Sequence, residues 1–326
     1  MALETIKRSA SGLTPVMSTL DVDGVPSLFG FGWLMAYVVL SGSPVAAVAL
    51  GLFGGGLISD TETLGMIAGS RFGAAFVVLL AGTVHYLRGS RRIVTVAAGV
   101  LSLLVTWSIY APATLGAYAL LSTNALSGLR VEAPVFFVSF LGLVIAPVVS
   151  GVAGLLHPLA LFVAGVAALI GAFNLFDRTL PEIDPQQGRF RQIADIVYRP
   201  KVMFLLGMAV TCLTLSVSVS LGILVPIAAK GYVRRENIIP YIMGANISTF
   251  IDTLFASLLV GEPRAMSVVA AEMLSVTAVS LVILFFFYRA YRRMLEAALE
   301  AAIASRRSFL VFLGITMAIP LIFLLA

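Results

Sequence analysis

Charge is what this sequence has least of. Only 11% of its 326 residues are Asp, Glu, Lys or Arg, while 60% are apolar. Soluble domains carry about 25% charged and about 45–50% apolar residues. A water-soluble fold of this size has too little interior to hide so much apolar surface, so the composition requires a bilayer as solvent. The single cysteine, Cys212, excludes a disulfide framework and a thiolate metal cluster. The two histidines, His85 and His157, stand far apart in sequence and read as interfacial or packed side chains. Residues 1–27 lack the apolar centre of a secretory signal. Lys7 and Arg8 supply a basic start, but Ser9 to Gly24 is too polar, and the stretch reads as a polar lead-in. The formal charge of +5 does not make nucleic acid a partner. The basic residues sit in short loops between apolar segments, where membrane orientation accounts for them.

A spanning helix needs about 20 mostly apolar residues. Stretches 62–87, 93–110, 133–155, 157–176, 238–262, 265–288 and 308–326 meet that length, and 112–128 is a weaker eighth. Two others, 28–55 and 201–229, are too long for one span and break near the middle, at Leu40-Ser41-Gly42-Ser43-Pro44 and Leu215-Ser216-Val217-Ser218-Val219-Ser220. Each half is too short to cross. A helix–tip–helix that enters and leaves on one side is the expected form, tolerated where protein or a water-filled cavity surrounds the tip. If the first such hairpin opens outside and five crossings follow, most of the 21 basic residues fall inside, among them Arg91, Arg199 and Arg292. Arg264 and Ala326 then face outward.

The two broken stretches align without gaps at a spacing of 175 residues. The alignment pairs Gly32 with Gly207, Leu40 with Leu215, Ser41 with Ser216, Ser43 with Ser218 and Gly69 with Gly244. Five crossings between the hairpins, an odd number, would invert the second unit. The expected fold is therefore an all-α integral membrane protein of two inverted repeats, each a re-entrant hairpin followed by an interrupted transmembrane helix. Residues 1–27 form the lead-in, 28–128 the first repeat, 129–200 the connecting helices and cytoplasmic loop, and 201–326 the second repeat. Inverted repeats with interrupted segments at matching positions point to a transporter's binding site. Half-helices ending at mid-membrane aim amide groups at an anion and carbonyls at a cation.

Candidate substrate-binding residues are Ser41, Ser43, Arg71, Ser216, Ser218 and Asn246. Arg71 and Asn246 occupy the same position in the two repeats, within Gly69-Ser70-Arg71-Phe72-Gly73 and Gly244-Ala245-Asn246-Ile247-Ser248-Thr249. An intramembrane ionisable residue costs about 2.5–3.5 kcal/mol on insertion scales and faces a cavity or a partner. The planar fork of Arg71 suits an oxyanion, and a structural pair with Asp252 or Glu272 is the alternative. Ser220, Asn246, Ser248, Thr249, Asp252 and Glu272 are the candidate oxygen donors for a coupling cation.

A serine-rich tip followed by Gly244-Ala245-Asn246-Ile247-x-Thr249 resembles the sodium/phosphate cotransporter family, whose two repeats carry Gln-Ser-Ser-Ser and Gly-Ala-Asn-Ile-Gly-Thr motifs. Here Leu40 and Leu215 stand where that family has glutamine, Gly42 and Val217 replace its middle serine, and Arg71 replaces its first asparagine. The resemblance implies that Ser41, Ser43, Ser216, Ser218, Asn246, Ser248 and Thr249 line a site for phosphate and sodium. It implies a multi-pass plasma-membrane symporter with no organic cofactor, which a homo-oligomer would accommodate. Two other classes compete. One is a non-transporting scaffold with its site locked by an Arg71–acid bridge. The other is an integral-membrane enzyme on a lipid-linked phosphate, for which Asp21-Val22-Asp23 is the clearest acidic pair.

Overall fold

The computed structural model describes residues 2–10, 14–19, 22–85, 93–126, 141–154, 156–179, 199–217, 219–222 and 235–326, with residues 128, 224 and 233. The described elements are helices. They are α1 (Ala2–Ser9), α2 (Thr14–Thr19), α3 (Gly24–Val39), α4 (Gly42–Gly54), α5 (Asp60–His85), α6 (Ile93–Ser122) and α7 (Ala146–Ala153). After these come α8 (Pro158–Thr179), α9 (Pro200–Thr214), α10 (Arg235–Ser248), α11 (Phe250–Val260), α12 (Ala265–Val282), α13 (Tyr288–Ile303) and α14 (Arg306–Leu324). Five helical stretches are long and apolar enough to cross a membrane: Asp60–Leu80, Val96–Ser122, Glu236–Val260, Ala265–Ile303 and Arg306–Leu324. The protein is an all-α membrane protein.

The expected break at residue 40 is present. Leu40 takes a left-handed conformation, φ 56°, and its counterpart Leu215 does the same, φ 49°. A bulky side chain in this region costs of order 1–3 kcal/mol, so both chain reversals are held by what surrounds them. The glutamate that opens α5 closes the first helix pair at its base. Glu62 Oε1 accepts the Gly24 amide at 3.2 Å, and Oε2 accepts the Ser59 amide and hydroxyl, each at 2.7 Å. The start of α3 and the end of the α4 loop are thus joined, with the tip at the far end.

Glycines then let α3 lie directly on α5, and α9 directly on α10. A Cβ at Gly32 would fall on the Met66 carbonyl, and one at Gly69 on the Phe29 carbonyl. In the second half a Cβ at Gly207 would fall on the Tyr241 carbonyl, and one at Gly244 on the Phe204 carbonyl. These four contacts match pairwise at the same spacing of 175 residues.

Two expectations need correction. The segments 93–110 and 112–128 are not two crossings but one helix, α6, which runs through Pro112. Ala and Leu on both sides of the proline keep the helix going, so Pro112 does not end it. The five-crossing count that implied inversion therefore does not hold. The first-repeat helix is also not interrupted: α5 is continuous through Gly69–Gly73, because those glycines serve close packing on α3. In the second half the helix breaks only at Thr249, between α10 and α11.

Relative direction is instead legible along one rod. α12 and α13 run on through a π-helical turn, Ile283–Phe287. At the rod's start Arg264 pairs with Asp60 of α5 at 3.1 Å. Further along, Arg292 pairs with Glu236 of α10 at 2.7 Å. The helical rise separates the two arginines by about 42 Å. So α5 and α10 begin at opposite ends of the rod. The Ser27 hydroxyl donates to the Leu324 carbonyl at 3.1 Å, which brings the C-terminal end of α14 to the Arg264 end.

Buried backbone is satisfied in a way that hydrocarbon demands. Pro320 in α14 and Pro240 in α10 each deprive the carbonyl four residues earlier of its helical donor. The Tyr37 hydroxyl donates to the Thr316 carbonyl, and the Tyr288 hydroxyl to the Glu236 carbonyl, both at 2.9 Å. At the fully buried Thr316, with no water to hand, another helix makes the missing bond.

The start of the chain is not wholly solvated: Ile6, Ser9 and Ala10 are buried. Ile6 is fully buried in a cleft where Gly51 and Gly165 leave room for it. Lys7 Nζ donates to the Val260 carbonyl at 2.9 Å, capping the C-terminal end of α11. α1 therefore ties α4 to α8 and α11.

Candidate functional site

From Asp60 to Arg71 α5 rises about 16 Å, and from Glu236 to Asn246 α10 rises about 15 Å. Each distance is half the roughly 30 Å of a hydrocarbon core. The two helices start at opposite ends, so these residues meet at the centre. They line one small polar cavity together with Ser41, Gly42, Ser43, Thr106, Tyr110, Ser216, Val217 and Thr249. Its volume is about 20 Å³, room for roughly one water-sized occupant. Two larger crevices, about 390 and 450 Å³, are lined almost wholly by apolar side chains and offer little to hold an ion.

Arg71 is the centre of the constellation and is almost fully buried. Nη1 donates to the Thr249 hydroxyl at 3.2 Å and to the Ser43 hydroxyl at 3.5 Å. Nη2 donates to Thr253 and lies 3.9 Å from Asp252 Oδ1. The guanidinium carbon sits 4.9 Å from the centroid of the Phe250 ring. The Thr253 hydroxyl in turn donates to Asp252 at 2.8 Å. Charge, hydroxyls and aromatic face thus come from both halves of the chain. Of the two acids first considered as partners for Arg71, Asp252 is the one that pairs with it.

The tips are shaped for this. A Cβ at Gly42 would stand 2.8 Å from the Ser70 carbonyl. Serine at that position would push the tip off α5, which explains the glycine physically. Ser41 holds the N-cap position of α4 without a side-chain cap bond, leaving its hydroxyl to the cavity. Ser216 instead accepts the Val219 amide at 3.3 Å, capping the chain after the second reversal. Ser218 lies outside the described residues.

Asn246 donates through Nδ2 to the Thr106 hydroxyl at 3.2 Å, and its carbonyl accepts the Tyr110 hydroxyl at 2.9 Å. The remaining candidates are placed elsewhere. Ser220 accepts the Thr211 hydroxyl and bonds the Tyr241 hydroxyl, both at 2.8 Å, which fastens the chain after Leu215 to α9 and α10. Ser248 is buried beside the break but does not line the cavity, and neither does Glu272 on α12.

Sequence reasoning missed Thr106, Tyr110, Phe250 and Thr253. A signal for them exists. Thr106 and Tyr110 share one face of α6 at i and i+4, and Asn246, Thr249 and Thr253 form a polar stripe at three- and four-residue spacing. Among the described residues no group of three or more His, Cys, Asp or Glu is placed to hold a metal. No family model, curated protein or solved structure matches this chain.

Proposed function

We propose that this chain is a secondary transporter of a small oxyanion, inorganic phosphate first, built as two inverted repeats with re-entrant hairpins and coupled to sodium. The observation that carries the reading is the meeting of Arg71 and Asn246. They occupy matched positions on helices that begin at opposite ends of one rod, and each is flanked by a helix reversal. Alternating access needs such a centre, reached from either side by structurally similar arms. The N-terminal end of α4, the guanidinium of Arg71 and the hydroxyls of Ser41, Ser43 and Thr249 favour an anion. A cavity of about 20 Å³ is too small for a four-oxygen anion. The described conformation is thus read as occluded, with the tips parting to admit substrate. The Asp60–Arg264 and Glu236–Arg292 pairs, partly exposed at the two ends, are weak enough to break in turn. A plasma-membrane location follows from this role, with the lipid bilayer and the anion as partners.

One observation favours a second reading. Arg71 already has Asp252 and three hydroxyls as partners, which suits a locked scaffold that transports nothing. Thermal stabilisation of the purified protein separates the two. Phosphate, sulfate and small carboxylates are tested in sodium and in potassium buffer. A ligand of the folded state stabilises by about 2.7 kcal/mol at a hundredfold excess over its Kd. The transporter reading expects at least one oxyanion to raise the melting temperature, more so in sodium. A flat response to all of them in both buffers favours the scaffold.

A further inference from the structure

Among the described residues, one basic and two acidic side chains are buried around the centre: Arg71, Asp252 and Glu272. Arg71 and Asp252 face each other. Glu272 is different. It is fully buried on α12, and neither carboxyl oxygen has a hydrogen-bond partner. The Thr114 hydroxyl of α6 stands beside it without closing a hydrogen bond, and it too is unpartnered. The other titratable groups within electrostatic reach of Glu272 are Arg71 of α5 and Tyr110 and Tyr118 of α6. Asp252 of α11 completes the charged neighbourhood around Tyr110. α4 also packs on α12 and carries no ionisable residue, while α10 carries its charges, Arg235 and Glu236, in its first turn.

Charge balance then constrains what this region can hold. One guanidinium and two carboxylates leave a net negative charge in a low-dielectric interior. An uncompensated buried carboxylate costs several kcal/mol even after relaxation. We propose that Glu272, with Thr114 beside it, is a second ligand site, separate from the central cavity, that takes one small monovalent cation, a proton or a sodium ion. Both cations supply the single positive charge that the buried set lacks. A divalent cation would overshoot the balance. Glu272 and Thr114 project from α12 and α6, neighbouring helices whose close approach a small residue assists: a Cβ at Gly116 would stand 3.3 Å from the Ser275 hydroxyl. A cation here would tie the rod to α6 and bear electrostatically on Arg71. The site does not depend on what the central cavity carries, so a protein that moves no anion would still bind the cation.

The test uses the purified full-length protein without any anion substrate. Melting temperature is followed in two series, sodium chloride replacing potassium chloride at fixed pH, and pH in sodium-free buffer. Wild type, Glu272→Gln and Thr114→Val are compared. The amide of Glu272→Gln keeps the shape and removes the charge. Wild type should gain stability from sodium if the ion is sodium, or from acid if it is a proton. Glu272→Gln should lose that gain, and Thr114→Val should shift it to higher sodium concentration or lower pH. In the proton case, infrared spectra of the wild type should contain a deuterium-sensitive carbonyl band of a protonated carboxylic acid that Glu272→Gln lacks. If Glu272→Gln does not fold, the Thr114→Val shift decides alone. Sodium and pH responses that are the same in wild type and in every variant that folds would overturn the proposal. So would a wild type with neither response.

Discussion

Replacing Arg71 with alanine is expected to destabilise the protein by about 3–5 kcal/mol, the cost of leaving one half of a buried pair without its partner. The guanidinium joins Ser43 of the first tip to Thr249, Thr253 and Asp252 of the second half and rests on the Phe250 ring. Alanine removes all of these at once and strands Asp252. Adding Asp252→Asn to Arg71→Ala should restore part of the loss, because the stranded charge is then gone. Arg71→Lys keeps the charge but not the planar fork, and an ammonium cannot bond Thr249 and Thr253 in one plane. It should melt closer to wild type while losing any stabilisation by oxyanions. Melting curves for the four proteins check this. An Arg71→Ala protein that melts like wild type would mean the pairing carries no stability.

The second large effect is expected at two glycines. A Cβ at Gly69 would overlap the Phe29 carbonyl, and one at Gly244 the Phe204 carbonyl. The obstacle in both cases is backbone, which has no alternative rotamer. Overpacking usually costs about 1–3 kcal/mol, and here the helix pair must lift off its neighbour, so the loss should lie at or above that range. Gly69→Ala and Gly244→Ala should both sharply reduce the yield of monodisperse protein. Gly314→Ala, where a Cβ meets open space on the lipid-exposed α14, should cause no loss. Size-exclusion profiles of the three variants decide it. If either Gly69→Ala or Gly244→Ala folds with wild-type yield, the close contact does not bear on stability.

These glycines also mark how far the sequence was legible. The 175-residue spacing was found from identities such as Gly69 and Gly244, and the structure gives the identities a cause, since each removes a clash with a carbonyl at the matching position. The reversals at Leu40 and Leu215 were legible because each run was too long for one span and broken by serines. The single α6 was not, because Pro112 and the polar residues after it look like a boundary when the packing of α6 on α5 and α12 is out of view. The same blindness hid the roles of Tyr37 and Tyr288, whose hydroxyls serve carbonyls freed by Pro320 and Pro240 far along the chain. Residues 1–27 read only as a polar lead-in, because nothing in them shows the glycine cleft in α4 and α8 that receives Ile6 or the α11 end that Lys7 caps. At the site, the serines stood out by repetition. Thr106, Thr253 and Phe250 did not, since their relevance comes only from helices crossing beside Arg71.

Counterflow in proteoliposomes tests the central claim most directly. Vesicles containing the purified protein are loaded with unlabelled phosphate and diluted into labelled phosphate with sodium on both sides. A carrier whose two reversals meet at Arg71 should accumulate label transiently, and Arg71→Lys, still folded, should not. Wild-type protein that is folded and correctly inserted, yet takes up phosphate and sulfate no faster than empty vesicles, would contradict transport and leave the locked scaffold.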